Sequence, residues 1–506
     1  MSRSPGSESE AQQLLGLVDL LRESVLTVTQ QWEKERNTSV TDNSAQQTVP
    51  SQDLFEAQRR IEAIAGTLIA LVAEPSHRIQ QVMTLAVQAR ALILATEMKI
   101  PDKLTAAGKQ GIHVSMLSER TGIESRKLDN QQWPCGGPLT SGVLVRTARL
   151  MRTLCTIHIF NEPEENRFTN NRISQVLVDN EPLRALVQLA SMHSFTSEFL
   201  GKYLLGPTGS SYEKDETAFQ IALGTDKTQF DWFAEKVTVE ELKHGGRGTG
   251  YPGFFSRPSR PEDGNWEGPD SNGLISRPEL ANFGKAMIGS GSVNSPAHVL
   301  DYPWSNLGNG ATVVDVGGGV GGFALQMLKA HPHLRFVVQD RPEVISQGKN
   351  EVFPTHAPWA LKDDHVTFMD HDFFQPNPVV GADFSISKSL QQQLMVARHD
   401  WSDEPCLKIL KALKVAMRPN SRILLADCVL NTTCGSPDVP SAPDLLPANY
   451  GYWCQYNHVL GMIMMAENNG IERTASEIKD LITRAGLRIN KIWPVRSLVG
   501  IVEVML

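Results

Sequence analysis

Asp315 is the first residue whose surroundings suggest chemistry. It lies near the end of a β-branched run within residues 311–323, ATVVDVGGGVGGF, and a glycine cluster follows at once. Residues 323–330 then place Ala324, Leu325 and Leu328 on one helical face. Strand, glycine turn and helix open a nucleotide-binding βαβ unit. Gly317, Gly319 and Gly322 meet the G-x-G-x-x-G spacing. Glycine is needed there because a backbone turning tightly under a ligand leaves no room for a Cβ. The spacing alone also permits a dinucleotide enzyme, or a turn that binds nothing. Asp315 weighs against the dinucleotide, because its charge would face a pyrophosphate. An acid here suits a ligand with a cationic end, and S-adenosylmethionine carries a sulfonium and an ammonium. Asp315, Gly317, Gly318 and Gly319 are therefore cofactor-binding candidates.

Asp340 ends the next apolar run, about 25 residues later, where an acid takes ribose hydroxyls. A carboxylate can accept both hydrogen bonds of a vicinal diol. After a third run come Asp370, His371, Asp372 and Phe373. Asp372 could accept from an adenine amino group, and Phe373 could wall its ring. His399 begins HDWSD, just after an expected fourth strand. Strand ends in an open parallel sheet face the ligand crevice, so His399 comes from the edge that should hold the cofactor's reactive end. A lone histidine is otherwise more often structural.

These residues need strands and helices to position them. Candidate strands are 312–316, 335–339, 366–370, 382–386 and 422–427, with helical patterns between them. The alternation predicts an α/β fold with a doubly wound, parallel, Rossmann-like sheet. We expect this domain to span 276–506. Residues 1–53 read as an N-terminal extension, partly disordered, with an amphipathic helix over 11–32. Residues 54–240 read as a helical region that contains a winged-helix unit over 101–175. Its helices are expected at 114–119 and from 124, and its wing at 157–168. Residues 241–275 read as a loop or insertion.

Three stretches break the pattern. Residues 129–147 hold Pro and Gly pairs that a helix does not tolerate. Residues 244–272 are rich in Gly, Pro and Arg, and 385–398 is less apolar than a buried strand should be. We read part of this as unspliced or mis-predicted coding sequence. A transcript carrying all three stretches would contradict that.

The 506 residues are 41% hydrophobic and 21% charged, with a net charge of −8. This is globular composition, and it argues against a general nucleic-acid surface. The polar N-terminus predicts no secretory signal, and no apolar run reaches a membrane-spanning length. Six cysteines show no metal-ligand spacing. A cytoplasmic enzyme with no bound metal, no membrane partner and no nucleic-acid partner is the expectation.

The blocks VVDVGGG, VVQDRPEVI, HDWSDEPCLKIL, ILLADCVL and NNGIERTASEIKDLITRAGL follow in this order. Together they resemble the class I S-adenosylmethionine-dependent O-methyltransferases of the plant caffeic-acid type. The likeness is strongest to the fungal branch that methylates phenolic polyketides, such as the sterigmatocystin and emodin O-methyltransferases. It covers roughly residues 55–506, and the HDWSDE and ERT blocks are its most specific part. The resemblance implies a helical, winged-helix dimerisation domain before the catalytic domain, a homodimer, and a small aromatic phenolic substrate such as an anthraquinone or xanthone. It places the general base at His399, flanking acids at Asp427 and Glu472, and a substrate-contacting methionine near Met464.

Chemistry agrees with those roles. A phenol titrates near 10 and a free imidazole near 6.5, so the phenolate must form as it is used. A neighbouring carboxylate fixes the imidazole tautomer and stabilises the imidazolium. A thioether such as that of Met464 adapts to a flat ring, although core packing explains it equally well. One departure stands out. Where the family carries Lys or Arg four residues before the histidine, this chain has Met395, so either Lys388 or Arg398 takes the charge role or the local geometry differs. Competing readings are a dinucleotide oxidoreductase, a catalytically degenerate S-adenosylmethionine-binding protein, and a winged-helix DNA-binding regulator. The last would use Arg120, Arg126, Lys127, Arg146, Arg149 and Arg152.

Overall fold

The structure is a computed structural model. It describes residues 8–39, 49–121, 141–243, 269–388 and 401–506. Contacts divide the chain into two compact units.

The first unit comprises Met1–Arg78, Thr208–Thr217 and Gly291–Leu506. Its centre is a seven-stranded sheet. The strands are β1 Thr312–Val316, β2 Arg335–Asp340, β3 Val366–Asp370, β4 Phe384–Lys388, β5 Arg422–Asp427, β6 Arg488–Trp493 and β7 Gly500–Met505. Their order across the sheet is β6-β7-β5-β4-β1-β2-β3. The strands from β3 to β5 are parallel. The edge is not: β7 runs antiparallel to both β5 and β6. That corrects the wholly parallel sheet expected from the alternation. The short connection from β6 to β7 is the reason, since a parallel crossover needs a dozen or more residues.

Successive residues of a strand face opposite sides, and here both sides are apolar. Val313, Phe336, Val338, Leu424 and Ile501 pack on one side with Phe323, Ala324, Met327 and Leu328 of helix α3, Gly322–Ala330. Val314, Val316, Ile423, Leu425, Val502 and Val504 pack on the other. Their partners there come from α4, Asp403–Ala416, and α6, Ala475–Arg484. Helices on both faces make the sheet doubly wound. Helix α6 opens with a capping box, in which Thr474 and Glu477 each bond the other's backbone N–H.

The helix of the extension is longer than expected. Helix α1 runs Glu8–Ser39, beyond the 11–32 predicted, and packs on α2, Gln52–Val72. Val28, Leu54 and Ala57 form a small core between them. Helix α2 also lies on a one-turn helix, Gly451–Cys454, that leads into α5, Gln455–Asn468. Both helices group with the sheet by contacts, whereas the sequence assigned residues from 54 onward to the helical region.

The second unit comprises Ile79–Pro207 and Ala218–Ser290. Helix Val114–Thr121, helix Ser141–Cys155 and a hairpin of Phe160–Glu164 with Arg167–Asn170 follow in sequence. Strand Ile112–His113 pairs with the hairpin's second strand. The hairpin stands where a wing was expected. Leu104, Val114, Leu117, Met151, Leu154 and Phe168 are in its core. A second core gathers Leu189, Met192, Phe219, Trp232, Phe233 and Met287.

The three irregular stretches fall largely outside the described residues. Two exceptions are informative. The helix after the first break already begins at Ser141, where no proline remains to oppose it. Residues flanking the second stretch pair as a ribbon, Lys236–Thr238 against Leu274–Ser276.

Candidate active site

Strand order reverses between β1 and β4, and the crevice at that switch point is where open α/β sheets bind ligands. Beyond β1 the backbone takes positive φ at Gly317, Gly319 and Gly321. An L side chain is strained in that region. Gly318 meets a different limit. A Cβ there would lie 2.8 Å from Asp315 Cγ and 2.9 Å from the Asp315 carbonyl oxygen. Asp315 is fully buried, on the same side of β1 as Val313. Gly321, not the Gly322 of the sequence fingerprint, is the close-packing glycine, because a Cβ on it would meet the Phe353 ring at 2.8 Å.

The loop is tied to β2. Gly318 N–H donates to the Gln339 carbonyl at 3.0 Å. Gly319 N–H donates to Asp340 Oδ2 at 2.9 Å, and Arg341 N–H to Asp340 Oδ1 at 2.8 Å. Asp340 is 3% exposed. Burial pushes its carboxyl up to about 7; the two backbone N–H groups and Arg341 oppose this, and the nearby Asp315 adds to it. Two buried acids at adjacent strand ends would repel a pyrophosphate and attract a sulfonium. The residues present therefore fit S-adenosylmethionine.

That raised pKa has a measurable consequence. A diol donates to the carboxylate, so its binding should expel the proton Asp340 holds near neutrality. Affinity for S-adenosylhomocysteine should fall about tenfold per pH unit below about 7 and level off above it. Titration calorimetry at several pH values measures this, and Asp340→Asn should flatten the dependence. The sign for folding is opposite. A carboxyl whose folded pKa is raised contributes a loss of stability as pH climbs from its ordinary value near 4 through about 7.

The loop after β3 turns back on β2 through His371 N–H, which donates to the Asp340 carbonyl at 3.1 Å. Asp372 is exposed, and its Oδ1 accepts from Phe374 N–H at 3.0 Å within its own turn. Phe373 is one of three rings in a row. It lies 4.9 Å from Phe374, whose ring is 5.2 Å from Trp401. The sequence picked out only the first of these as a ring wall.

His399 and Met395 lie outside the described residues, as does Arg398; for Lys388 only the backbone is described. The segment that follows His399 is described, and it is firmly held. Arg473 Nη2 donates to the Trp401 carbonyl at 2.9 Å and to Asp403 Oδ1 at 2.9 Å. Lys214 Nζ stands 3.2 Å from the centroid of the Trp401 ring. Lys214 belongs to a strap, Thr208–Thr217, that groups with the sheet. Asn469 Nδ2 fastens the strap by donating to the carbonyls of Glu213 at 2.7 Å and Glu216 at 3.1 Å.

Asp427 and Glu472 come together. Beyond β5, Val429–Leu430 pairs in parallel with Arg473–Thr474, with Val429 opposite Arg473. Asp427 and Glu472 are both buried at this edge. Burial, then Glu472 and then Asp427 push the Cys428 thiol up, so both carboxylates act on one atom. Helix α5 approaches Glu472 at Gly461, where a Cβ would sit 3.4 Å from the Glu472 Cβ. Met464 packs in the core with Ala426, Cys428, Leu460 and Val499. Tyr456, two turns earlier on the helix, is half exposed. Burial, then Cys428 and Glu472, raise its phenol. Sequence reasoning passed over Arg473, Asn469 and Lys214. A buried arginine beside an acid in ERT was the one signal available.

Among the described residues, no cluster of His, Cys, Asp or Glu could hold a metal, and no helix is long and apolar enough to cross a membrane. Cys155, Cys406, Cys428, Cys434 and Cys454 are free thiols. Arg152 of the expected basic surface is bonded to Glu162 by Nε and Nη2; Arg126 and Lys127 lie outside the described residues.

A doubly wound sheet with a glycine loop and two buried acids at its switch point fits the S-adenosylmethionine-binding transferases as a class. Known proteins agree. The model of the O-methyltransferase domain matches residues 281–488. O-methyltransferase cicE of Emericella nidulans is 44% identical over 516 aligned positions, covering 100% of this chain and 91% of the relative. O-methyltransferase tpcA of Aspergillus fumigatus is 43% identical, covering 100% of this chain and 98% of the relative. A crystal structure of the O-methyltransferase NcsB1 from neocarzinostatin biosynthesis, with S-adenosyl-L-homocysteine and 1,4-dihydroxy-2-naphthoic acid, shares the fold. Its TM-score is 0.52 at 17% identity, over 84% of this chain and 98% of that one. The chain belongs to the S-adenosylmethionine-dependent O-methyltransferases.

Proposed function

We propose that this enzyme methylates a phenolic hydroxyl of an aromatic polyketide of the anthraquinone or xanthone kind, in fungal secondary metabolism, with His399 as general base. The observation that carries the reading is the parallel strand pair at Val429 and Arg473. It brings Asp427 and Glu472 to one edge, and Arg473 of the same pair binds the segment continuing from His399. Asp315, the loop glycines 317–319 and Asp340 are the proposed cofactor contacts, with the rings of Phe373, Phe374 and Trp401 as an aromatic wall and Asp372 at its rim.

Bound S-adenosylmethionine supplies an electrophilic methyl group. The chain's own part is to hold a phenol oxygen in line, take its proton and exclude water. His399 accepts the proton at a ring nitrogen. A carboxylate of the pair fixes the opposite nitrogen's hydrogen and favours the imidazolium as it forms. The half-exposed Tyr456 and the exposed Tyr452 and Met462 on and before α5 support a flat aromatic substrate. Met464 backs Cys428 from the core and would reach such a substrate only at the edge of that wall.

We also propose a cytoplasmic homodimer, with residues 54–240 in the dimerisation region and 276–506 in catalysis. The apolar side chains of Leu15, Val18, Leu26 and Trp32 exposed along α1 support a partner. The bonding of Arg152 to Glu162 leaves less positive charge for the regulator alternative.

A screen of hydroxylated anthraquinones, xanthones and naphthols with methyl-labelled S-adenosylmethionine tests the substrate class. A labelled methyl ether from a polycyclic phenol is the expected product. Turnover confined to catechols or to aliphatic alcohols would reject the class.

A further inference from the structure

Arg473 joins three parts of the site that the sequence keeps apart. Its backbone is fixed to the end of β5 by the pairing with Val429. It directly follows Glu472. Its side chain, 2% exposed, reaches back to the residues after His399. Nε donates to Asp403 Oδ1 at 3.1 Å, Nη2 to the same oxygen and to the Trp401 carbonyl, and Nη1 to the Ile471 carbonyl at 3.1 Å. Arg484 of α6 takes the other Asp403 oxygen at 3.1 Å. A guanidinium offers a rigid planar fork of donors that an ammonium cannot reproduce. One side chain thus sets the distance from the Asp427–Glu472 edge to the start of α4, and His399 lies four residues before that helix begins.

We infer that Arg473 is a positioning residue for catalysis, which ties Trp401 and Asp403, just after His399 in the chain, to the Asp427–Glu472 edge. The inference rests on the proposed role of His399. The plainer alternative is a tertiary tie that only anchors the N-terminus of α4. The two differ in what they move. A positioning residue changes kcat through the histidine and leaves the glycine loop alone. An anchor changes folding, or acts equally whether or not the histidine is present.

The test is a double-mutant cycle of Arg473→Lys and His399→Ala. It is read as kcat, KM for the phenol and affinity for S-adenosylhomocysteine, in the full-length protein. Arg473→Lys keeps the charge and loses the fork, so the variant should fold. The expected result is a fall in kcat of about 10- to 100-fold, with S-adenosylhomocysteine affinity held. In the His399→Ala background Arg473→Lys should add no further loss. Added guanidinium should partly restore an Arg473→Ala variant that binds S-adenosylhomocysteine. An equal fold-loss in both backgrounds, or a loss of S-adenosylhomocysteine affinity that matches the loss of rate, would overturn the inference while the base assignment stood. Wild-type turnover in His399→Ala alone would instead remove the base assignment, and the inference with it.

Discussion

Replacing His399 by Ala is expected to lower kcat by about 10²- to 10⁴-fold and to leave affinity for S-adenosylhomocysteine unchanged. The size follows from the proton. A phenol titrates near 10, so at neutral pH roughly one molecule in a thousand is already phenolate. An enzyme without its base must wait for that fraction. The affinity should hold because the proposed cofactor contacts Asp315, the loop glycines and Asp340 lie at the ends of β1 and β2. Asp427→Asn and Glu472→Gln should cost less than His399→Ala, since each acts through the imidazole. Steady-state rates and calorimetric titration of S-adenosylhomocysteine measure both halves. A variant that loses affinity and rate together would place His399 in cofactor binding instead.

Gly318→Ala should have the second large effect, with the opposite signature. Its Cβ would lie 2.9 Å from the carbonyl oxygen of Asp315 as well as 2.8 Å from its Cγ. A side-chain rotation cannot relieve a backbone clash, so the loop or β1 must move. Overpacking of this kind costs about 1 to 3 kcal/mol. If the strain falls on the cofactor-binding form, affinity drops about 10- to 100-fold. Gly310→Ala is the control. Gly310 also has positive φ, +79°, but no atom lies within 4 Å of its Cβ position. That substitution should lower melting temperature through backbone strain of about 1 kcal/mol and leave affinity intact. Equal affinities in the two variants would mean that the space above Asp315 is not where the cofactor binds.

The sheet was legible because its signals are local. Three of the five expected strands, β1, β3 and β5, have the bounds observed, and each is a short run with an acid at or next to its end. Two buried faces make such runs continuously apolar. The strands β6 and β7 were missed: in β6 Arg488, Asn490 and Lys491 break that pattern, and β7 lies at the end of the chain with no helix after it. β4 was expected two residues early, where Ala382 and Asp383 precede the first paired residue. The helix of the extension was legible from its apolar spacing, and its ends were not, because polar residues flank that pattern on both sides.

The site was legible in part, for a different reason. Asp315, Asp340 and the glycines are close in sequence, or one βαβ unit apart, so their spacing carries their geometry. Asp427 and Glu472 are brought together by two-residue strands that no periodicity reveals. Resemblance pointed to them; composition and spacing did not. The strap was invisible for a stronger reason: Lys214 lies before the catalytic region in sequence, far from Trp401, and meets it only in the fold. Long-range contacts of that kind leave no local pattern.

The most direct measurement of the central claim is the pH dependence of kcat for a phenol, in the native enzyme and in His399→Ala. The native rate should level off once the histidine is neutral. The variant's rate should climb by about tenfold per pH unit toward the phenol's own pKa near 10, because the phenolate then forms without help. A variant whose profile matches the native one, at the native rate, would contradict a histidine base and the account of the site built around it.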